Sequence, residues 1–407
     1  PDDWQVHLVV RILRGYDSIF LAGTGYGKSL IFEAVAVLGG RTKVTLIICP
    51  LKALEADQVS IFSTSREKRI KAVLINEDNK KDPVVWKTAE KTAQLVYISP
   101  EMALSDHFGK LWTDVKFRRR VQALIVDEAH CIDEWGEEFR PTYKQLHRLR
   151  SFTGQEVPFV ACTATCATRT FNVIWNSLAF GHRPFWGLDA GRDRNNLFYL
   201  TRTLKNITNP ILDVLDILPA DLNETSDRSL IPKILTYHDS VAGTKAAKET
   251  WRRALPPHLR DCVYSYSADI SEAAKQECWD GFRSGRYRIL CATDAAGMGC
   301  NVPDVDYSIV FECPKSLAVL VQRWGRAGRN RTGVGTCMVF VRSWAFRPAP
   351  PEVGLAVQRV RGEGKVVLEP QSHTTSRGKL EQNLEAFINS ATSTDGEYFI
   401  FIPESSD

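Results

Sequence analysis

This chain of 407 residues lacks any uninterrupted apolar run long enough to cross a bilayer, because a span needs about 20 such residues in a row. A signal-peptide pattern is also missing. The chain begins with Pro1 and not Met, as expected of a piece of something longer whose targeting signals lie elsewhere. Metal-ligand clustering is absent from the 8 histidines. The 10 cysteines sit mostly in apolar runs, as at Cys49, Cys162, Cys291 and Cys313. Cys162 and Cys166 form the nearest pair, and no second pair at zinc-ligand spacing follows. Buried reduced thiols are expected, with no zinc site. A strong charge of either sign is missing too: 52 basic against 48 acidic residues leave +4, which permits nucleic-acid binding through local patches without demanding it. What remains is ordinary for a globular protein, 44% hydrophobic and 25% charged, with length enough for two or three domains.

Against this plain background, the octapeptide AGTGYGKS at Ala22–Ser29 is informative. Gly25 and Gly27 let the backbone turn so that N–H groups point inward at phosphate oxygens, with Thr24 in the same loop. Lys28 has the reach to meet β- and γ-phosphates, and the Ser29 hydroxyl is placed to ligate Mg²⁺. Ala22 replaces the first glycine of the usual pattern. The flanks fit: SIFLA (Ser18–Ala22) has strand length, and SLIFEAVAVL (Ser29–Leu38) has helical apolar spacing. Downstream, QALIVDEAH (Gln122–His130) is an apolar strand ending in two carboxylates, where an open α/β sheet places ligand-binding groups. Asp127 is expected to hold Mg²⁺ and Glu128 to orient and deprotonate an attacking water. A glycine-rich turn or a solvated acidic turn would explain either motif alone. Together they indicate nucleoside-triphosphate hydrolysis, with a nucleoside triphosphate and Mg²⁺ as cofactors.

Two series of short apolar strands alternate with helical patterns. SIFLA, TLIIC (Thr45–Cys49), LVYIS (Leu95–Ser99), ALIVD (Ala123–Asp127) and FVACT (Phe159–Thr163) form the first. KILTY (Lys233–Tyr237), CVYSY (Cys262–Tyr266), RILCAT (Arg288–Thr293), YSIVFE (Tyr307–Glu312) and GTCMVFV (Gly335–Val341) form the second. The expected fold is α/β, with two tandem domains, each a parallel sheet covered by helices on both faces. Their boundary is expected within Gly187–Asn196, giving domains at 1–188 and 189–343, and Asp221–Ser229 is expected to be an exposed loop. Residues 344–407 read as a partly irregular tail after PAPPE, with a short helix at Leu380–Ile388 and a strand-like YFIFI at Tyr398–Ile402. It is expected to pack on the second domain or to dock elsewhere.

Further motifs stand at strand ends. CPLKALEADQV (Cys49–Val59, containing Lys52) and SPEMAL (Ser99–Leu104) suit contact with a nucleic-acid backbone, though each alone reads as an ordinary helix start. ATDAAGMGCNVPD (Ala292–Asp304) and QRWGRAGRN (Gln322–Asn330) follow. In this order and spacing the pieces resemble the superfamily-two helicases with their RecA-like domains, and among them the RecQ family, over roughly Gln5 to Val341. CIDEWGEEFRPTY (Cys131–Tyr143) carries the RecQ-specific likeness and RDRNNL (Arg192–Leu197) the interdomain segment.

The resemblance implies that Gln5 reads adenine. It implies that Trp135, Phe139, Arg140 and Tyr143 couple single-strand binding to hydrolysis, and that Lys52 and Ser99 touch the DNA backbone. Gln322, Arg326 and Arg329 then belong to motif VI, the arginines sensing the γ-phosphate. It further implies an ATP-dependent DNA motor with 3′-to-5′ polarity, a monomer acting on single-stranded and tailed duplex DNA, with room for protein partners through the tail. A nuclear or otherwise intracellular setting, in repair and recombination, follows, with no membrane. An RNA helicase and a scaffold with little catalysis remain alternatives. Two departures stand out. Arg323 and Trp324 replace residues usually acidic and small, and only Cys337 lies beyond motif VI, where the family's zinc subdomain has four cysteines.

Overall fold

The run DSIFL is short and buried on both faces at its first four residues, as a central strand requires. It forms β1 (Asp17–Leu21), and the glycine loop then feeds α2 (Lys28–Gly39). The computed structural model describes residues 1–49, 70–134, 141–154, 156–164, 166–191, 194, 196–296, 302–330, 333–346, 380–389 and 398–399. They fall into two compact units, the first ending at Arg194.

In the first unit, β1 is joined by β2 (Val44–Ile48), β3 (Ala72–Ile75), β4 (Leu95–Ile98), β5 (Val121–Val126), β6 (Phe159–Thr163) and β7 (Phe185–Asp189). Their order is β3-β4-β2-β5-β6-β1-β7, and every pair is parallel. Alternation along β5 shows why both faces need cover. Ala123 and Ile125 pack with Leu8 and Ile12 of α1 (Asp3–Leu13) and with Phe32 and Val35 of α2. Leu124 and Val126 pack on the other face with Phe108, Trp112 and Phe117. At the amino end of β1, buried Asp17 accepts from the Phe159 N–H at 2.8 Å and pairs with Arg150 at 2.6 Å, which locks β1 beside β6.

The second unit repeats the plan with β8 (Leu197–Thr203), β9 (Ile234–Tyr237), β10 (Val263–Tyr266), β11 (Ile289–Ala292), β12 (Tyr307–Phe311), β13 (Gly335–Val341) and β14 (Tyr398–Phe399). The order is β10-β11-β9-β12-β13-β8-β14. The pairs are parallel except that β14 runs antiparallel to β8. Helices α3 (Val241–Ala254), α4 (Glu272–Ser284), α5 (Leu317–Trp324) and α6 (Gln382–Ile388) accompany the sheet.

Each of the ten strands expected in the two series is present, within two residues of its bounds. The expected domain edge at residue 188 falls inside β7, which pairs with β1 through Asp189. The Gly187 that suggested a linker is a strand residue there, its neighbours half-buried at the sheet's edge. The tail supplies α6 and the start of the strand-like segment, both packed on the second unit. Asp221–Ser229 is largely exposed, as expected. Among the described residues, no helix is long and apolar enough to cross a membrane.

Candidate nucleotide site and motif VI turn

Gly25 and Gly27 adopt φ of +87° and +76°, the left-handed region that only glycine enters without strain. That turn sets Lys28 and Ser29 at the start of α2, whose N-terminal N–H groups and dipole favour an anion. The Lys28 ammonium folds back to donate to the Ala22 carbonyl at 3.0 Å. Thr24 and Ser29 are half-buried in the loop. The segment after β7 braces the loop from the side. The Gly191 carbonyl accepts from the Gly23 N–H at 3.2 Å, and the Arg194 guanidinium lies 3.7 Å from where a Cβ on Gly25 would stand.

The acidic pair sits at the end of β5 on the same edge of the sheet, with the end of β6 between it and β1. Cross-strand bonds stitch these ends together: Asp127 N–H to Ile48 O at 2.9 Å, Ala129 N–H to Cys162 O at 2.9 Å, and Ala22 N–H to Thr163 O at 3.0 Å. Asp127 is buried and accepts from the Cys162 thiol at 2.9 Å and from the Glu128 N–H at 3.0 Å. Burial first, and then the neighbouring Glu128, push its carboxyl up to about 6, against the pull of Cys162 and Lys28. Glu128 has φ of +49°, a conformation that a non-glycine residue holds only when its surroundings enforce it. His130 stands 3.5 Å from the Glu128 carboxylate and shares a 2.8 Å hydrogen bond with the Thr163 hydroxyl. The DEAH end is thereby tied to ACTAT.

Gln5 is 3% exposed. Its Oε1 accepts from the Asp2 N–H at 2.8 Å, and its Nε2 donates to the Tyr26 carbonyl at 2.9 Å. The amide fastens α1 to the phosphate loop, and reading adenine would require those bonds to exchange. Two of the residues expected to contact nucleic acid sit differently. Tyr143 is fully buried among Leu146, Leu149 and Val157, so its ring offers no face for stacking, and the aromatic's hydrophobic payload decides its place. The Ser99 hydroxyl caps the short helix at Pro100–Ala103 by accepting from the Met102 N–H at 3.3 Å, the ordinary helix start. Lys52, Trp135, Phe139 and Arg140 lie outside the described residues.

In the second unit, α5 delivers Gln322 and ends at Trp324. A tight turn carrying Arg326 and Arg329 follows, with Gly328 at φ of +51°. Arg326 is buried, and the Arg329 Nε donates to the Gly325 carbonyl at 3.1 Å. Asn196, within the RDRNNL segment, pins this turn. Its Nδ2 donates to the Gly328 carbonyl and the Gly333 carbonyl, each at 2.7 Å. A Cβ on Gly335 would meet the Gly328 nitrogen at 2.8 Å, so glycine there permits the close approach.

Both acids of the ATDAAGMGCNVPD segment are engaged by cations. Asp294 takes Arg323 at 2.7 Å, and Asp304 takes the buried Lys233 at 2.7 Å. The departure at Arg323 is thus an internal ion pair. The nearby His238, stacked on Phe311, is lowered to about 4 by burial and by Arg323, which keeps it neutral near pH 7. Cys162 and Asn196 are the supporting residues that sequence reasoning missed. Their partners come from neighbouring strands and a distant turn, and sequence gives neither neighbour.

Two tandem α/β units, one with a phosphate loop facing a strand-end acid pair and one with an arginine turn, define a superfamily-two helicase core. A DEAD/DEAH box helicase family model matches residues 2–173, and a helicase conserved C-terminal domain model matches residues 222–331. Within that class, the chain is similar to RecQ-like helicases. It is 30% identical over 345 residues to ATP-dependent helicase SGS1 of Saccharomyces cerevisiae, matching 80% of this chain and 22% of that protein. It is 27% identical to the probable ATP-dependent DNA helicase RecS of Bacillus subtilis, across 80% of this chain and 61% of that protein. The RecQ-like DNA helicase BLM of Xenopus laevis is 28% identical, across 83% and 24%. The chain thus spans about a quarter or less of the larger of these relatives.

Among solved structures, the DUF1998 helicase MrfA bound to DNA superposes with a TM-score of 0.65 at 17% identity, covering 84% of this chain and 48% of that one. The DEAD-box helicase Mss116 bound to ssRNA and UDP-BeF gives 0.65 at 17%, covering 84% and 70%. These likenesses show the fold.

Proposed function

We propose that this chain is the ATP-hydrolysing motor of a RecQ-like DNA helicase, stepping along single-stranded DNA with 3′-to-5′ polarity. The observation that carries the reading is the desolvated Asp127–Glu128 pair set on one sheet edge with Lys28 and the N-terminus of α2. A cation and helix N–H groups suit the β- and γ-phosphates, and the acids suit metal and water. The hard oxygen donors of Asp127 and Ser29 fit Mg²⁺, which when bound neutralises charge on the phosphate oxygens. Glu128 then orients and deprotonates the attacking water, with His130 and Thr163 holding its surroundings in place. Lys28 leaves the Ala22 carbonyl for phosphate oxygens. Arg326 and Arg329, with Gln322, stabilise charge on the transferred phosphoryl group. Gln5 recognises adenine by exchanging its loop bonds.

The RecQ-like segment supplies Trp135, Phe139 and Arg140 for stacking and phosphate contact, and Lys52 adds a backbone contact. In this reading the first unit, through Arg194 and not residue 188, forms the ATP-binding domain, the second unit forms the second motor domain, and residues 344–407 are an accessory segment.

Glu128→Gln should bind MgATP with near wild-type affinity and lose about 100-fold or more in turnover, the contribution of a positioned base. Lys28→Ala should lose turnover and weaken nucleotide binding. Wild-type turnover in either purified variant would overturn the assignment.

A further inference from the structure

Trp324 ends α5 immediately before the arginine turn, and so large a ring there needs neighbours on every side. It is 1% exposed. Its Nε1–H donates to the Met338 carbonyl in β13 at 3.0 Å, and its ring meets Tyr199 of β8 at 5.3 Å. The remaining side is closed by the tail, where Phe387 of α6 meets the ring at 5.5 Å and 57°. Leu384 and Ile388, on the same helix, are fully buried. The other end of α5 is held as well. The Glu381 carboxylate accepts from the Asn383 and Leu384 N–H groups at 3.0 Å each, capping α6, and also from the Leu317 N–H at 3.2 Å, at the start of α5. Asn389 fixes the far end of α6 by donating to the Ala345 carbonyl at 3.1 Å.

Thus α6 holds α5 at both ends, through Glu381 on Leu317 and Phe387 on Trp324. We propose that this tail helix is a clasp that holds the arginine turn in its hydrolytic geometry, with Phe387 and Glu381 as positioning residues. The proposal rests on the hydrolysis reading above. Arg326 follows Trp324 by a single intervening glycine, so a rotation of α5 moves its guanidinium directly. A misplacement of about 1 Å costs up to about 10²-fold in rate. The arginines act on charge that develops during transfer, whereas the phosphate loop grips ground-state ATP. Loss of the clasp therefore lowers kcat and spares KM.

The test uses the full chain with Phe387→Ala and Phe387→Tyr, read by ATPase kinetics and by hydrogen–deuterium exchange. Phe387→Ala should lose about tenfold in kcat with KM for ATP within about twofold of wild type, and exchange should quicken over residues 317–330 while β10 and β11 keep wild-type protection. Phe387→Tyr, which keeps a ring on Trp324, should restore both. A kcat within about twofold of wild type in Phe387→Ala overturns the clasp, as does unchanged exchange at 317–330. Exchange quickened evenly across the second unit also overturns it, because that is loss of fold and not of position. Wild-type protein without turnover instead overturns the hydrolysis reading, a result distinct from turnover that survives Phe387→Ala.

Discussion

Asp127 shows how the site sets function against stability at a single residue. In the unfolded chain its carboxyl titrates near the ordinary 3.8, and in the folded protein burial and Glu128 raise it to about 6. A raised carboxyl favours the protonated folded form, so its contribution to stability is fully present below about pH 4 and is lost as pH rises through about 6. At pH 8, Asp127→Asn should therefore raise the stability of the nucleotide-free protein by roughly 1–3 kcal/mol while abolishing hydrolysis. Metal binding needs the carboxylate, so MgATP affinity of the wild type should weaken as pH falls through about 6, accompanied by proton uptake from buffer on release. Thermal melts and calorimetry in buffers of different ionisation enthalpy check both. A destabilised Asp127→Asn at pH 8 would contradict the burial argument. The placement of Lys28 at a helix start and of Asp127 and Glu128 at a strand end was legible because loop glycines and strand-end acids carry local patterns. The Cys162 thiol on Asp127 was not, because nothing in the sequence places β6 beside β5.

Among the elements, strands buried on both faces announce themselves as apolar runs, and β2 and β6 are buried at every position. The strands that escaped notice have weaker signals. β3 is a four-residue edge strand among polar neighbours, β7 has a glycine at its centre, and β8 mixes Thr and Arg into its apolar positions. Fold class therefore survived the omissions; the first unit ends at Arg194, within the expected window Gly187–Asn196, and an edge drawn at 188 would cut through β7. The segment between Glu134 and Pro141 carries the coupling hypothesis, with Trp135 and Phe139 beside four acids in the sequence that argue against core packing. A base stacked on an aromatic contributes about 1–3 kcal/mol, enough to shift a loop between two positions about tenfold. Trp135→Ala should then keep most basal ATPase activity and lose its DNA stimulation. Full stimulation in that variant would return the aromatics to core packing, where Tyr143 already sits.

Across the whole molecule, the described residues form two α/β units, and β13, α6 and β14 follow motif VI, with Cys337 the only cysteine of the sequence beyond it. In the proposed reading the chain steps along a strand by cycles of ATP binding and release, and no wedge for strand separation is evident among the described residues. Residues 1–407 should accordingly show weak or absent unwinding of a long 3′-tailed duplex, beside clear ATPase activity in the same preparation. Efficient strand displacement would assign the wedge to the tail or to a loop. DNA binding should fall steeply with salt, as phosphate contacts dictate, with a residual salt-independent part from stacking.

The most direct measurement of the central claim is steady-state ATP turnover by the wild-type chain with no activator, single-stranded DNA, duplex DNA and single-stranded RNA at equal nucleotide concentration, with Glu128→Gln alongside. The motor described here predicts strong stimulation by single-stranded DNA, less by duplex and RNA, and none in Glu128→Gln. Turnover that no nucleic acid stimulates, or that RNA stimulates as strongly as DNA, would contradict it.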